Sequence, residues 1–445
     1  MPAIIFKENQ NDFIILDPYY GGLWECERDE IEKFLVINHL ILCDMDSKEN
    51  SRLNQYIKSD DLASKVYNFM VSENIPMVPH YFPNAILKNL DAMDNGILTP
   101  PEIVLEVSRK CNYTCPWCYI SDMSNKDDEL SISDMTEYLI KPMLDIGARR
   151  WTLSGGEPSV TKEKTIKIAE IITKETELKW GFKPEIDILT NGYNFSKLAN
   201  TYYENNIKSV QFHLSSPYES EDNRLRNSGN DVNSYAEVIN GVKKANEIGF
   251  CTSINMVVGP ENKKSVADMI KLANELNVDW LRLTPVVMSG KAKKNGIFLD
   301  FESYTEITKT INRMVNGESA VAKGLKVYFP SIELERDRPM WCGLGYLDFY
   351  VGYNGLIYPC NNLIENQLLC DEKGICETSA TNIWFKSPKL EMFRQYRINN
   401  IGNECGNCKS RSFCVGNCIA RCWHQYEQFD LIEKPDNCLL ELRGE

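Results

Sequence analysis

The sequence of 445 residues contains no apolar run of about 18 residues, the length that a membrane-spanning helix requires. Positive charge is in deficit, since 49 Lys and Arg oppose 63 Asp and Glu for a formal net charge of −14. That balance argues against broad nucleic-acid binding, because neutralising phosphates needs a cationic face. The first ten residues turn polar by Lys7 and lack a signal-peptide core. We therefore expect a cytoplasmic protein without a membrane or nucleic-acid partner.

Histidine is also scarce, with four residues, whereas cysteine is abundant, with 16. A reducing compartment does not favour structural disulfides, so the cysteines need another explanation. Metal sites in such a chain are built from thiolates, which narrows the metal to zinc or iron–sulfur clusters. One group of cysteines, Cys111, Cys115 and Cys118, has the spacing C-x3-C-x2-C, and ten more lie between Cys342 and Cys438.

Pattern and composition separate three zones, which we predict to be domains. Residues 1–95 combine alternating apolar segments with helical periods, which predicts a small α+β domain. Residues 96–330 alternate predicted strands and helices, whereas residues 331–445 have short apolar runs, many turn residues and the cysteine cluster. Core packing alone is too weak for this last zone, so metal binding is expected to stabilise it. The lysine-rich residues 291–294 predict a solvated loop.

Six predicted strands define the central zone. They lie at 103–107, 151–153, 186–189, 209–214, 252–257 and 280–283, with helical periods near 132–144, 164–173, 196–203, 232–247 and 265–276. This alternation predicts an α/β fold with a parallel sheet, either a partial barrel or a doubly wound layer. Both architectures bind ligands at the carboxyl ends of the strands. The cysteine triplet directly follows the first strand, so we expect the chemistry at that edge.

Three thiolates in one short loop can hold three irons of a [4Fe–4S] cluster and leave the fourth iron open for another ligand. A zinc site is the alternative, but it normally needs a fourth Cys or His nearby. Neither residue occurs within about thirty positions after Cys118. The triplet therefore favours an iron–sulfur cluster.

The triplet segment, Cys111-Asn-Tyr-Thr-Cys115-Pro-Trp-Cys118, resembles the signature loop of the radical S-adenosylmethionine (radical SAM) superfamily. The resemblance implies a partial (β/α)6 TIM-like barrel and a cluster that binds SAM, with Trp117 packed beside the cluster or the adenine. It also implies the reaction: an electron enters the SAM sulfonium, and the resulting 5′-deoxyadenosyl radical abstracts hydrogen from a substrate. The cofactors supply this chemistry, while the protein positions them.

Contacts to SAM are implied after the second and third strands. Gly155, Gly156 and Glu157 belong to a Gly-Gly-Glu-Pro sequence that looks like the family motif whose backbone meets the SAM amino group. Glycines suit such a place because a backbone without Cβ atoms can approach a ligand closely. Thr190 and Asn191, followed by glycine, are similar to the ribose-side turn of the family.

The segment from His213 to Arg226 resembles the region after the fourth strand, where an arginine contacts the SAM carboxylate. Arg226 is our candidate for that contact, with Arg224 as the alternative. The family usually has a Ser-Leu-Asp-Gly-like sequence at this strand end, whereas this chain has His-Leu-Ser-Ser-Pro. His213 is included among the predicted cofactor contacts.

The C-terminal cysteines resemble the seven-cysteine SPASM pattern, which carries two auxiliary [4Fe–4S] clusters, making three clusters in all. The resemblance assigns one cluster to Cys405, Cys408, Cys414 and Cys438. It assigns the other to Cys342, Cys360 and Cys418. The fourth ligand of that second cluster is left open between Cys422, Cys370, Cys376 and an unligated iron, with Cys422 nearest to the ligand run.

Enzymes of the SPASM type mostly modify peptides or proteins. The N-terminal zone loosely resembles the winged-helix leader-peptide domain of ribosomal-peptide maturases, which binds by strand addition. The resemblance therefore implies a ribosomally made precursor peptide as substrate, a crosslink such as a thioether, C–C or ether bond as product, and flavodoxin or ferredoxin as reductant. The alternatives are a sulfatase-maturing or small-molecule SPASM oxidoreductase, and a non-catalytic metal protein.

Candidate acid, base or relay residues are less well defined. An acidic residue follows the second SPASM cysteine in sulfatase-maturing enzymes, but Asn361 occupies this position here, which weakens that alternative. Other candidates are Tyr119, Asp348, Tyr353 and Glu365. The sequence leaves the catalytic residue unassigned.

Overall fold

The computed structural model divides the chain into two units, residues 1–101 with 143–148 and residues 102–142 with 149–445. It describes the backbone of residues 4–7, 12–16 and 23–27, and residues 100, 102–121, 128–146, 148, 150–180, 183–229, 232–315, 322, 325–329, 345, 348–364, 370, 374–399, 420 and 423–424. No helix in this described part has the length and apolar character to cross a bilayer. The predicted domain boundaries near residues 95 and 330 stay predictions.

The first unit contains a three-stranded antiparallel sheet in the order β1–β2–β3. Its strands are β1 (Ile4–Lys7), β2 (Asp12–Leu16) and β3 (Leu23–Glu27). These strands coincide with the alternating apolar segments of the sequence. The helices predicted near residues 29–36 and 60–71 lie outside the described residues, so the winged-helix interpretation stays a prediction.

The second unit is built on a nine-stranded sheet in the order β10–β9–β8–β7–β6–β5–β4–β11–β12. Its strands are β4 (Glu102–Ser108), β5 (Arg150–Gly155), β6 (Glu185–Thr190), β7 (Ser209–His213), β8 (Cys251–Val258), β9 (Trp280–Pro285), β10 (Lys326–Tyr328), β11 (Asp348–Val351) and β12 (Ile357–Tyr358). Strands β4 to β10 and β11 run parallel, and only β12 pairs antiparallel. The six predicted strands are therefore all present.

Helices occupy the connections between these strands. They are α1 (Ile132–Asp134, Met135–Ile140 and Lys141–Asp145, the middle part a π-helix), α2 (Lys162–Trp180), α3 (Phe195–Glu204), α4 (Glu219–Arg226), α5 (Ser234–Ile248), α6 (Val266–Glu275), α7 (Gly290–Lys294), α8 (Phe301–Val315), α9 (Ala380–Lys386) and α10 (Pro388–Asn399). Two neighbouring strands that run parallel need such a crossover connection, because a tight turn would make the second strand antiparallel to the first. The predicted α/β fold with a partial TIM-like barrel is confirmed.

Burial alternates along β6, β7, β8 and β9, which explains why their sequences predict strands well. In β7, Val210 and Phe212 are fully buried, whereas Gln211 and His213 are partly accessible. Phe212 packs edge-on against Phe195 of α3, with ring centroids 4.8 Å apart, so its face of the sheet contacts the helices. Because side chains alternate between faces, His213 lies on the opposite face, inside the barrel.

Three strands were not predicted from the sequence. β10 has only three residues, and β11 and β12 lie in the cysteine-rich zone. β11 pairs parallel with β4, with Asp348 opposite Glu102 and Val351 opposite Leu105. The cysteine-rich zone therefore extends the barrel sheet beside the strand that leads into the cysteine triplet.

Candidate active site at the triplet loop

The triplet loop, residues 111–118, follows β4 through an irregular strand end. Glu106 pairs with Ser154 and Ser108 pairs with Gly155, so Val107 is an extra residue on β4. Such a bulge bends a strand and redirects the residues after it. The bulge therefore sets the direction in which the chain enters the triplet loop.

A second turn, the glycine turn at residues 154–158, is bonded to the backbone that leads into the triplet loop. The Gly156 N–H donates to the Ser108 carbonyl and the Glu157 N–H donates to the Lys110 carbonyl, both at 2.8 Å. A Cβ on Gly156 would lie 2.3 Å from the Lys110 oxygen, far inside contact distance. The sequence attributes these glycines to the approach of a ligand. The structure adds another reason, since they let two backbone segments of the chain touch.

Glu157 joins the glycine turn to the end of β6. Its carboxylate accepts from the Asn191 N–H at 2.6 Å, and from Thr190 Oγ1 and the Ser159 N–H at 2.9 Å each. The side chain is buried, and desolvation raises its pKa although these hydrogen bonds lower it. Glu157 and Thr190 thus act together as a brace, a role that the sequence does not reveal.

Asn191 lies directly against the triplet loop. Its Nδ2 donates to Asn112 Oδ1 at 2.9 Å and lies 3.9 Å from Cys111 Sγ. Its Oδ1 accepts from the Tyr193 N–H at 2.9 Å, which fixes the amide orientation. The predicted ribose-side turn therefore meets the first cysteine.

Arg226 is fully buried beneath the triplet loop. Its guanidinium lies 4.8 Å from the Tyr113 ring centre, donates to the Asn191 carbonyl and is 3.4 Å from Asp222 Oδ2. Its carbonyl accepts a weak bond from Cys115 Sγ at 3.5 Å. Arg224, the alternative, is exposed and pairs with Glu261 at 2.6 Å. The geometry thus favours Arg226.

Asp222, which sequence reasoning missed, holds this arginine in place. Its carboxylate also accepts from the Ser215 N–H at 2.8 Å and from Ser234 Oγ at 2.7 Å. The residue is fully buried, whereas in the same acidic first turn of α4 Glu219 is exposed and Glu221 is partly buried, accepting from Ser216 Oγ. A run of acidic residues gives no signal for which member is buried.

His213 ends β7 inside the barrel, where its Nε2 lies 3.0 Å from Ser215 Oγ. Burial lowers its pKa to about 3, and the nearby Arg226 charge adds to this shift. The imidazole is therefore neutral at neutral pH. It can exchange one hydrogen bond with a ligand without adding a charge.

The three cysteines of the triplet are partly buried. Burial raises the pKa of Cys111 and of Cys118 to about 12, and it raises the pKa of Cys115 as well. A thiolate in such surroundings needs a compensating cation. A metal centre would supply that cation, so the environment fits three thiolate ligands.

Unpartnered polar atoms mark the same place. Four buried atoms without a hydrogen-bond partner belong to the triplet loop or touch it: Asn112 Nδ2, Tyr113 Oη, Trp117 Nε1 and Arg226 Nε. Orphaned buried donors are rare and call for a missing partner. In the described part of the chain, no three His, Cys, Asp or Glu side chains converge on one ion. A four-iron cluster does not need this, because each thiolate binds its own iron. The residues therefore fit a [4Fe–4S] cluster with a polar ligand.

A cleft of about 470 Å³ opens beside the loop at Asn112. Tyr193, Lys162 and Lys197 also line it. Its volume lies in the range of small-molecule sites. The cleft makes the outer side of the Asn112–Asn191 contact accessible.

A tyrosine pair borders the other side of the triplet. The hydroxyls of Tyr119 and Tyr350 lie 3.4 Å apart, and the two rings pack edge-on. Tyr350 packs further against Tyr358 and the buried Cys370. Tyr353 instead stacks under the Arg109 guanidinium, 4.3 Å from the ring centre. Among the relay candidates, Tyr119 is thus the one beside a predicted cluster ligand.

Helix α7 contacts the triplet loop from outside, which the sequence did not indicate. The Lys291 N–H donates to the Cys118 carbonyl at 2.8 Å, and Asn295 Nδ2 donates to the Pro116 carbonyl at 2.8 Å. The prediction of a loop at residues 291–294 is wrong in this respect, since these residues end a short helix.

The predicted auxiliary ligands are described only in part. Cys342, Cys405, Cys408, Cys414, Cys418, Cys422 and Cys438 lie outside the described residues, as does Glu365. Cys360 precedes a short turn in which its Sγ accepts from the Asn362 N–H at 3.4 Å. His424 Nε2 lies 2.7 Å from the Asn362 carbonyl. Cys370 is buried and Cys376 exposed, so burial favours Cys370 between these two.

Comparison with known proteins finds similarity that centres on the barrel. Residues 105–273 match the family described as the Radical SAM superfamily. The chain is 27% identical over 194 residues to the "Probable GTP 3',8-cyclase" of Sulfolobus acidocaldarius, covering 43% of this chain and 58% of that protein. It is 28% identical over 193 residues to the GTP 3',8-cyclase of Clostridium perfringens, covering 43% and 56%. The chain thus spans little more than half the length of these relatives.

Solved structures share the fold more widely. Streptococcus suis SuiB, crystallised with the precursor peptide SuiA, superposes with a TM-score of 0.66 at 16% identity, covering 98% of both chains. The structure titled native anSMEcpe with bound AdoMet gives 0.64 at 19% identity, covering 77% of this chain and 95% of the other. These likenesses agree with the partial barrel. Over residues 105–273, the chain is therefore similar to the radical SAM superfamily.

Proposed function

We propose that this protein is a radical SAM enzyme that modifies a peptide substrate. The observation that carries the proposal is the enclosed triplet loop, whose three thiols and unpartnered polar atoms meet Arg226 and Asn191 at the carboxyl edge of the barrel. Cys111, Cys115 and Cys118 would hold a [4Fe–4S] cluster there. When bound, this cluster supplies one electron that cleaves the C5′–S bond of SAM into methionine and a radical that abstracts hydrogen.

In this proposal, the residues of the chain bind and orient SAM. Arg226 presents a buried positive charge for the SAM carboxylate, and Asn191 presents its amide beside Cys111. His213 offers a neutral hydrogen-bonding group inside the barrel. Trp117, 8% exposed, excludes water from the loop and has a free indole N–H for a ligand. Together they favour a zwitterionic ligand that carries both charge and hydrogen-bond acceptors.

A peptide substrate is supported by the N-terminal unit. In the antiparallel order β1–β2–β3, β1 and β3 each pair on one side within the described strands, which leaves sheet edges for strand addition. The SuiB likeness extends over this part of the chain as well, at 98% coverage. The GTP 3',8-cyclases match less than half of the chain, so their similarity supports SAM chemistry and not their substrate.

The test is 5′-deoxyadenosine formation by the anaerobically reconstituted protein, reduced with dithionite in the presence of SAM. We expect product in the wild type and none in the triple variant Cys111→Ala, Cys115→Ala and Cys118→Ala. Iron should fall in this variant by about four per chain, the content of one cluster. Cys251→Ala is the matched control, because this cysteine is exposed and lies outside the triplet.

Zinc in place of iron, or 5′-deoxyadenosine formation by the triple variant, would contradict the proposal. The two auxiliary clusters add about eight irons to the expected count. A total of about four irons per chain would contradict the two auxiliary clusters, but not the SAM chemistry proposed for the barrel.

A further inference from the structure

A small basic surface lies on the outside of the barrel next to the triplet loop. We call it the α7 surface and define it as Lys293, Lys294, Asn295 and Phe298. All four residues are exposed, and the ring of Phe298 is 54% accessible. Positive charge and a bare aromatic ring together are unusual on a protein with a net charge of −14. Aromatic residues are enriched at protein interfaces and among the residues that dominate binding energy.

Backbone contacts connect the α7 surface to a predicted cluster ligand. The Lys291 N–H donates to the Cys118 carbonyl, and Asn295 Nδ2 donates to the Pro116 carbonyl, each at 2.8 Å. Gly290 lies so near the loop that a Cβ there would be 2.2 Å from the Tyr119 oxygen. A protein resting on the α7 surface would therefore lie against the helix that is hydrogen-bonded to the backbone of Cys118.

An electron that reduces a cluster on the triplet loop has to come from outside the protein, and the three cysteines of the loop are partly buried. Electron transfer between proteins falls steeply with distance, so the donor has to dock near a cluster ligand. The α7 surface offers such a place and has the opposite charge to small acidic electron carriers. Charge complementarity of this kind increases the association rate and orients the partner.

We propose that the α7 surface docks an acidic one-electron carrier protein of the flavodoxin or ferredoxin class. The proposal rests on the function proposed above, since it concerns the reduction of that cluster. In the step, the carrier is oxidised by one electron and the cluster is reduced by one electron. No covalent bond forms or breaks. Phe298 provides the apolar contact, and Lys293 and Lys294 provide the attraction.

The test compares two variants that change the charge equally. Lys293→Glu with Lys294→Glu reverses the α7 surface, whereas Lys183→Glu with Lys208→Glu reverses two exposed lysines that precede β6 and β7 at the opposite edge of the sheet. Lys291 is kept, because it contacts the triplet loop. A purified flavodoxin, fully reduced, is mixed anaerobically with each reconstituted protein, and its oxidation rate is followed by absorbance.

We expect the α7 variant to accept electrons from flavodoxin on the order of tenfold more slowly than the wild type at low salt. The difference should shrink at about 0.5 M salt, where surface charges are screened. Affinity for oxidised flavodoxin, measured by calorimetry, should fall in parallel. The control variant should match the wild type in both measurements. Phe298→Ser should weaken binding while keeping the wild-type salt dependence.

Dithionite separates this proposal from the proposed function. Dithionite needs no docking surface, so all variants should form 5′-deoxyadenosine with it at the wild-type rate. If dithionite fails with the wild type, the proposed function is wrong. If dithionite works and the α7 variant still takes electrons from flavodoxin at the wild-type rate, the docking proposal is wrong. An equal loss in the control variant would also overturn it, as would an effect confined to the binding of a peptide.

Discussion

At the scale of single residues, Gly156 carries one of the tightest requirements of the site. A Cβ there would lie 2.3 Å from the Lys110 carbonyl oxygen and 2.6 Å from the Arg109 carbonyl oxygen. We expect Gly156→Ala to displace the backbone before Cys111, with a cost in stability of roughly 1–3 kcal/mol. Iron should fall by about four per chain, measured by iron analysis after anaerobic reconstitution. Formation of 5′-deoxyadenosine should be lost with it.

Gly259→Ala is the matched control for this change. A Cβ at Gly259 would meet its nearest atom at 3.7 Å, which is ordinary contact. This variant should retain both iron and activity. Wild-type iron content in Gly156→Ala would contradict the role that we assign to the glycine turn.

The lowered pKa of His213 predicts that the stability of the protein depends on pH. Its folded pKa of about 3 lies below its ordinary value of 6.5, so the unfolded chain binds a proton before the folded one does. The contribution of this residue to stability is therefore full above pH 6.5 and is lost as the pH falls toward 3. The slope is about 1.4 kcal/mol per pH unit once the unfolded form is protonated.

Urea unfolding at pH 7.5 and 5.5 measures this effect, with His213→Asn as the reference. We expect the unfolding free energy of the wild type to fall by about 1 kcal/mol more than that of the variant. The comparison cancels the other titrating groups. Equal pH dependence in both proteins would show that the pKa of His213 in the folded state lies near its ordinary value.

The functional residues could be predicted where their spacing in the sequence identified them. They could not be predicted where burial decides which of two similar residues belongs to the site. The triplet and the glycine turn were found from spacing, but Arg226 and Arg224 were left as alternatives. They lie two residues apart in one helix, and only the packing of α4 shows that Arg226 is buried and Arg224 exposed. Asp222 escaped prediction for the same reason.

At the scale of elements, the bulge in β4 makes a separate prediction. Val107 is the residue without a partner in β5, so its deletion would restore regular pairing between the two strands. A shift by one residue reverses the direction of the side chains that follow. We expect the deletion variant to lose the iron of one cluster, about four per chain. Electron paramagnetic resonance of the reduced protein should show the loss of one cluster signal.

Val107→Ala serves as the control, because it removes side-chain volume and keeps the residue count. It should lose stability, since Val107 is fully buried, but retain the cluster signal. Retention of the signal in the deletion variant would mean that the loop direction is set elsewhere.

Elements were predicted best where the alternation of strands and helices was long and regular. All six barrel strands were found, because each has several residues of high apolar content. β10, β11 and β12 have three, four and two residues, too few for a periodic signal. Their pairing with strands far away in sequence supplies the stability that their own pattern does not show.

At the scale of the whole molecule, the N-terminal sheet predicts where a peptide binds. A test with the full chain takes its candidate precursor peptides from any small open reading frames that lie beside the gene. We expect a bound peptide to slow hydrogen exchange in residues 4–7 or 23–27, the outer strands of the β1–β2–β3 order, because strand addition satisfies backbone groups. Mass spectrometry of the exchanged protein gives the measurement. Binding without protection of either strand would contradict strand addition.

The hydrogen bonds between the glycine turn and the backbone before Cys111 have a consequence for the life of the protein in the presence of oxygen. These bonds, like the braces from Glu157 and Asn191, are made by the chain alone. A small zinc finger, in contrast, unfolds without its metal. Because these hydrogen bonds need no metal, we expect the loop to keep its shape after oxidation has destroyed a cluster. We therefore expect that a cluster destroyed by oxygen can be rebuilt from iron and sulfide without degradation of the protein.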